Sequence, residues 1–169
     1  MDKLPANEFD TLLAKTKQAL KEYGYHKGEL ISHSTGEVCL LGAMDCAFGA
    51  NRVQDGDYYS LEFPQFGNLT QKEVSSSKEY WFTYAVAEAV EAYCEDNPDY
   101  EHSILVDLQH AREFAASRDD FIPTTQGVIS EFNDHGTTDL TKVLEVLDLV
   151  DTAIIDDLDW QFSEDEGVF

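Results

Sequence analysis

Apolar residues recur at helical spacing near the start of the chain, at Phe9, Leu12, Leu13, Ala19, Leu20 and Tyr23. Asn7 stands before them as a cap, Asp10 lies in the first turn and Gly24 follows the last periodic residue. A helix over 8–23 is predicted. After the turn Ser34-Thr35-Gly36, the positions Val38, Leu41, Met44 or Asp45, and Phe48 keep a 3.6-residue period up to Gly49, which predicts a second helix over 37–48. The pattern then changes. Asp55-Gly56-Asp57 is a turn signal between Val53 and the weakly alternating run Tyr58-Tyr59-Ser60-Leu61-Glu62-Phe63, which reads as a small β-hairpin around residues 52–63 or a long ordered loop.

Pro64 and Gly67-Asn68 break that run, and Ser75-Ser76-Ser77 caps a third helix whose apolar face is Trp81, Tyr84, Ala85, Ala89, Ala92 and Tyr93. Asn97-Pro98 stops it. Ile104, Leu105, Leu108, Ala111, Phe114 and Ala115 predict a fourth helix over 102–117, and Pro123-Thr124-Thr125 opens a short fifth with Val128, Ile129 and Phe132. Asn133-Asp134-His135-Gly136 ends the fifth. Thr138 then caps a sixth, striped by Leu140, Val143, Leu144, Leu147, Val150 and Ile154. The chain therefore reads as mainly α, a single-domain bundle of about six helices over residues 1–158 followed by an acidic tail, 159–169, in which Trp160, Phe162 and Phe169 can dock. Its 169 residues, 43% hydrophobic and 12% aromatic, suffice for one core. No repeat and no linker divides it.

Charge changes the picture most. Eleven Lys and Arg face 34 Asp and Glu, for a net −23, and the imbalance is uneven: residues 1–84 carry −4 and residues 85–169 carry −19. Such a field repels nucleic acid, anionic lipid and nucleotide phosphate and attracts basic protein surfaces or cations. Its plain reading is solubility or adaptation to a salty cytoplasm. Its functional reading is imitation of a nucleic-acid backbone. No run approaches the ~20 apolar residues of a membrane helix, and the start MDKLPANEFD has neither a basic nor an apolar leader region, so a cytoplasmic protein with no membrane contact is expected. Three cysteines without disulfide-type or CxxC spacing suit reduced thiols.

Candidate chemistry centres on Gly36-Glu37-Val38-Cys39-Leu40-Leu41-Gly42-Ala43-Met44-Asp45-Cys46-Ala47. A thiol in the first turn of a helix is favoured as thiolate by unpaired amides and the helix dipole; His33 or His26 could serve Cys39 as base, and Asp134 could orient a histidine. The apolar neighbours Leu40 and Leu41 argue the opposite, burial with a raised pKa, and the small residues Gly42, Ala43 and Ala47 point to a close helix crossing. Metal and cofactor signals are weak. Cys39 and Cys46 are seven apart and His102 and His110 eight apart, neither a helix-clasp spacing, and Asp55-Gly56-Asp57 lacks the rest of a calcium loop. No Walker loop, GxGxxG, GxSxG or HExxH occurs. No metal site and no cofactor is expected. The dense aromatic set that includes Tyr58, Tyr59 and Trp81 is either core or, where exposed, a protein anchor or a small-molecule pocket.

Three separated pieces together resemble a known family. Tyr23-Gly24-Tyr25-His26-Lys27-Gly28, Gly36 to Ala43, and Glu131-Phe132-Asn133-Asp134 followed by Thr141-Lys142-Val143-Leu144-Glu145-Val146-Leu147-Asp148 are similar to domain of unknown function 6197, a family of small uncharacterised bacterial and phage proteins. The resemblance covers roughly the first 48 residues and about 122–155. It implies origin more than mechanism. It identifies Asn133-Asp134 with the family's aromatic-Asn-Asp element, which at a helix end usually caps its own backbone or the next helix, and Cys39 with the family's glycine-x-x-cysteine step. The departures lie in residues 50–76 and in the acidic second half.

The preferred functional expectation is a phage-type interaction protein that binds a host protein with a basic surface, inhibiting a nucleic-acid-handling or defence factor. Asp119, Asp120, Asp156, Asp157 and Asp159 belong to the acidic surface, and no direct nucleic-acid binding is expected. One alternative is a nucleotide- or metabolite-binding protein using Tyr58, Tyr59 and Trp81; another is a cysteine-dependent hydrolase built on Cys39. The oligomeric state stays open, a homodimer included.

Overall fold

The computed structural model describes residues 6–62, 77–100 and 118–150; within these, the side chains of 6, 77–81 and 118–124 fall outside the description. Helix α1 spans Ala6–Tyr23 and buries Phe9, Leu12, Thr16, Ala19 and Leu20, the stripe its periodicity predicts. Its start lies before Asn7, which therefore sits in the first turn and not at the cap. The Gly24 N–H donates to the Leu20 carbonyl at the other end.

Helix α2, Leu40–Phe48, begins three residues later than its pattern suggests. Val38 forms isolated bridges to Tyr25 and Ile31, and these extended contacts claim Glu37, Val38 and Cys39 before the helix can. A β-branched residue favours such a conformation, and short apolar runs do not separate the two states by period alone. Strands β1, Asn51–Asp55, and β2, Tyr58–Glu62, form the expected hairpin, antiparallel with Asn51 opposite Glu62 and Asp55 opposite Tyr58. Gly56, φ +61, is the first central residue of its two-residue type II′ turn, a place where a side chain would be strained.

Helix α3, Ser77–Glu95, is buried on every side from Phe82 to Val90 apart from Glu88, which makes it the central element. Phe82 meets Phe9 of α1 and Phe48 of α2 edge-on, at centroid separations of 5.4 and 5.8 Å. Helix α4, Arg118–Asp134, starts well before Pro123, where sequence places a helix opening; proline forfeits only one intrahelical bond near that start. It packs against α3 and buries Val128, Ile129 and Phe132, with Phe132 meeting Tyr93 of α3 and Tyr100 beyond its end. Helix α5, Leu140–Asp148, is capped by Asp139, whose carboxylate accepts from the Lys142 N–H at 2.9 Å, and not by Thr138, which is buried with its hydroxyl on Tyr100. It buries Val143, Val146 and Leu147.

The protein is thus mainly helical, one compact domain with five helices and one hairpin among the described residues. The sixth expected helix ends at Asp148, capped by Leu149 and short of Val150; Ile154, the expected helix over 102–117 and the tail 159–169 lie outside the described residues.

Candidate functional site

The segment from Gly24 to Cys39 joins α1 to α2 without a helix, so its backbone groups must find other partners. It folds back on itself: His26 N–H donates to Val38 O, Val38 N–H to Gly24 O, Ser32 N–H to Glu37 O and Cys39 N–H to Leu30 O, at 2.7–3.2 Å. One side of this segment is fastened to the end of α4. Asn133, 2% exposed, accepts the Leu40 N–H with its amide oxygen at 3.0 Å and donates its amide to the His26 carbonyl at 3.2 Å and to Asp134 at 3.0 Å. Asp134 in turn accepts the Gly28 N–H at 2.8 Å, Tyr25 donates its hydroxyl to the Asn133 carbonyl, and Lys27 donates to the His135 carbonyl. Burial, with Asp134 adding to it, raises the Tyr25 phenol well above its ordinary range, which keeps it a donor. Asn133 therefore caps neither its own helix nor the next: it satisfies the start of α2, 93 residues earlier.

Cys39 is the N-cap of α2, with its sulfur accepting the Gly42 N–H at 3.3 Å. Burial pushes its thiol up to about 11 against the opposing pull of the Gly42 and Leu41 amides, so it is a neutral thiol at neutral pH. Gly42 is fixed by space: a Cβ there would collide with the Leu30 carbonyl oxygen. Burial likewise raises Cys46 to about 11, Cys94 to about 12 and the Asp45 carboxyl to about 7.

The other side of the segment faces the hairpin across a cleft of about 560 Å³, lined by Glu29, Leu30, Ile31 and His33 on one wall and Tyr58, Ser60, Leu61 and Glu62 on the other. The walls meet at His33. Its carbonyl accepts the Tyr59 N–H at 2.9 Å, its Nδ1 lies 2.7 Å from the Tyr59 carbonyl, and its ring stacks on Tyr58 at 4.6 Å. A carbonyl only accepts, so Nδ1 carries a proton toward Tyr59, and Nε2 lies 4.0 Å from the Glu29 carboxylate. Tyr58 and Leu30 are exposed, at 53% and 47%. The hairpin is held by Arg52, whose guanidinium lies between the rings of Tyr23 and Tyr59, 4.2 and 5.0 Å from their centroids, and donates to the Gly36 carbonyl.

Of the residues singled out in the sequence, His33, Tyr58 and Tyr59 come together at this cleft. Cys39 and Asp134 belong to the junction on the other side of the segment, Cys39 facing Gly42 and Asp134 facing Gly28. Asp119 and Asp120 lie on α4 and Trp81 on α3, with side chains outside the description; Asp156, Asp157 and Asp159 are outside it altogether. Glu29, Leu30 and Glu62 carry no local signal in the sequence, because only the approach of the hairpin makes them a wall. Among the described residues no group of three His, Cys, Asp or Glu is placed to hold a metal ion, and no helix is long and apolar enough to cross a membrane.

No curated protein and no solved structure shows significant similarity to the chain. A family model described as a family of unknown function, DUF6197, matches residues 5–153, and the chain belongs to that family.

Proposed function

We propose that this protein is an interaction protein that binds a basic surface on a partner protein, of the kind that otherwise handles nucleic acid. The observation that carries the reading is the charge distribution, −23 overall with −19 in residues 85–169. The use of the cations supports it. Lys27 and Lys142 donate to backbone carbonyls and Arg52 lies against two tyrosines and donates to another, so among the described residues three basic side chains are spent on structure without pairing a carboxylate, while Lys17 pairs with Asp148. Eleven cations cannot neutralise 34 carboxylates, and the complementary charge of a basic surface steers association and selects partners. The polar cap role of Cys39 and its neutral thiol fit a binding protein better than a hydrolase.

The test is a pull-down with the full chain at low and high salt, followed by identification of what is retained. Exposed charges are screened beyond about 8 Å at physiological ionic strength, so specific partners should be rich in nucleic-acid-binding proteins, should leave as salt rises and should be displaced by added polyanion. Retention of the same partners at high salt, with no nucleic-acid-binding protein among them, would overturn the proposal.

A further inference from the structure

The cleft is the gap in an unfinished β-ladder. Tyr59 turns its N–H away from β1 to reach His33, and in an antiparallel strand the next residue but one does the same, so the Leu61 N–H and C=O also point away from β1. On the facing wall, Leu30 and Ser32 bond residues Cys39 and Glu37, which turns the N–H and C=O of Ile31, between them, the opposite way. The His33 carbonyl, two residues on, points to β2 and makes its bond. The ladder between 29–33 and β2 is therefore closed at His33 and Tyr59 and open at Ile31 and Leu61. Among the described residues no hydrogen bond reaches the outward groups of Ile31 or Leu61, although Ile31 is only 4% exposed. Backbone donors and acceptors so placed are what an added strand pairs with.

The rim says what such a strand carries. Glu29 and Glu62 are exposed carboxylates at the mouth, no lysine or arginine among the described residues lines the cleft, and Tyr58 offers an exposed ring. A planar guanidinium matches carboxylates by paired hydrogen bonds and lies well on an aromatic face, which an ammonium does less well. We propose that this cleft takes an extended, arginine-bearing segment of the basic partner, which completes the ladder at Ile31 and Leu61 with its backbone and sets a guanidinium against Glu29 and Glu62. This rests on the reading of the protein as a binder of basic partners, and deepens it by naming the element recognised.

A fluorescein-labelled peptide of alternating arginine and valine, titrated with the full chain and followed by anisotropy, tests it. The E29Q/E62Q variant, folded by circular dichroism, should weaken binding by at least about tenfold, through loss of charge-assisted bonds. Methylation of alternate backbone nitrogens, which leaves the peptide's charge unchanged, should weaken it by a similar factor. Equal binding to variant and wild type, or equal binding of the methylated peptide, overturns the cleft while leaving the partner reading intact, since it means adhesion to the acidic field. Full displacement by arginine amide at concentrations near the peptide's own overturns it in favour of a small cation site. Absence of peptide binding overturns the cleft as well, and the salt-dependent pull-down then tests the partner reading separately.

Discussion

Replacing Asn133 with alanine should be among the most damaging single changes in the described structure. The side chain is buried, the Leu40 residue it caps is fully buried, and two of its three bonds join α4 to two separate points of the 24–40 segment, the third going to Asp134 on α4 itself. Truncation leaves the Leu40 N–H and the His26 carbonyl without their partner. An orphaned buried group costs about 1–3 kcal/mol, so the sum is about 2–4 kcal/mol after partial relaxation. That is a large share of the roughly 5–15 kcal/mol that holds a domain of this kind folded. Urea unfolding monitored by circular dichroism measures it: the midpoint should fall while the slope stays constant. N133D sharpens the test, because the acceptor for Leu40 survives but a carboxylate oxygen replaces the donor to His26 and Asp134. The introduced group would have its pKa raised by burial and by Asp134, so its penalty is full at neutral pH and is relieved as pH falls. A loss below about 0.5 kcal/mol for N133A would refute the junction as a structural element.

Three further outcomes follow from neighbouring residues. G42A adds a Cβ against the Leu30 carbonyl, a backbone atom that cannot swing aside, and should cost about 1–3 kcal/mol, read as a lowered melting temperature. An unchanged melting temperature would mean that α2 and Leu30 are not in close contact. Cys39, 6% exposed and pushed up to about 11, should resist iodoacetamide in the native protein at pH 7 and react after unfolding; rapid native alkylation would restore the case for a nucleophile. Burial raises the Asp45 carboxyl from 3.8 to about 7, so between those pH values the folded chain holds a proton that the unfolded chain has lost, and stability falls as pH rises through that window. D45N should flatten that fall by at most about 4 kcal/mol, measured by urea midpoints from pH 4 to 8, and an unaltered profile would refute it.

What the sequence revealed divides by the range of the interactions involved. α1 and the hairpin were legible because their signals are local: a stripe at 3.6-residue spacing in one, a glycine turn between β-prone runs in the other. The start of α2 was not, because Val38 is claimed by Tyr25 and Ile31, and a periodic pattern does not record that competition. Pro123 misled for a related reason: a helix can absorb one lost bond when its other turns pack well. Cys39 was legible as a small packing residue through Gly42 and Ala43, whereas its place as a cap was not. The walls of the cleft come from residues about 30 apart in sequence and share no period, so Glu29 and Glu62 could be found only once the chain was folded.

The junction and the cleft are two faces of one segment, which couples them. Asn133 fixes Leu40 and His26; Cys39 and Gly42, at the head of the same helix, fix the Leu30 carbonyl; and Leu30 and Ile31 are the cleft's inner wall. Loosening the junction should therefore move that wall. Three of the pieces that carry the family resemblance, 23–28, 36–43 and 131–134, are tied together by these bonds. The opposite wall comes from the hairpin, which also lies within residues 5–153 that the family model matches. An inner wall held by the junction thus faces an outer one held by the hairpin's own ladder. On that division of labour, exchanging Ser60, Leu61 and Glu62 should change peptide preference with little change in urea midpoint, whereas changes at Asn133 should lower both stability and affinity. Equal destabilisation from the two sets would show that the hairpin is part of the support and not a separable recognition element.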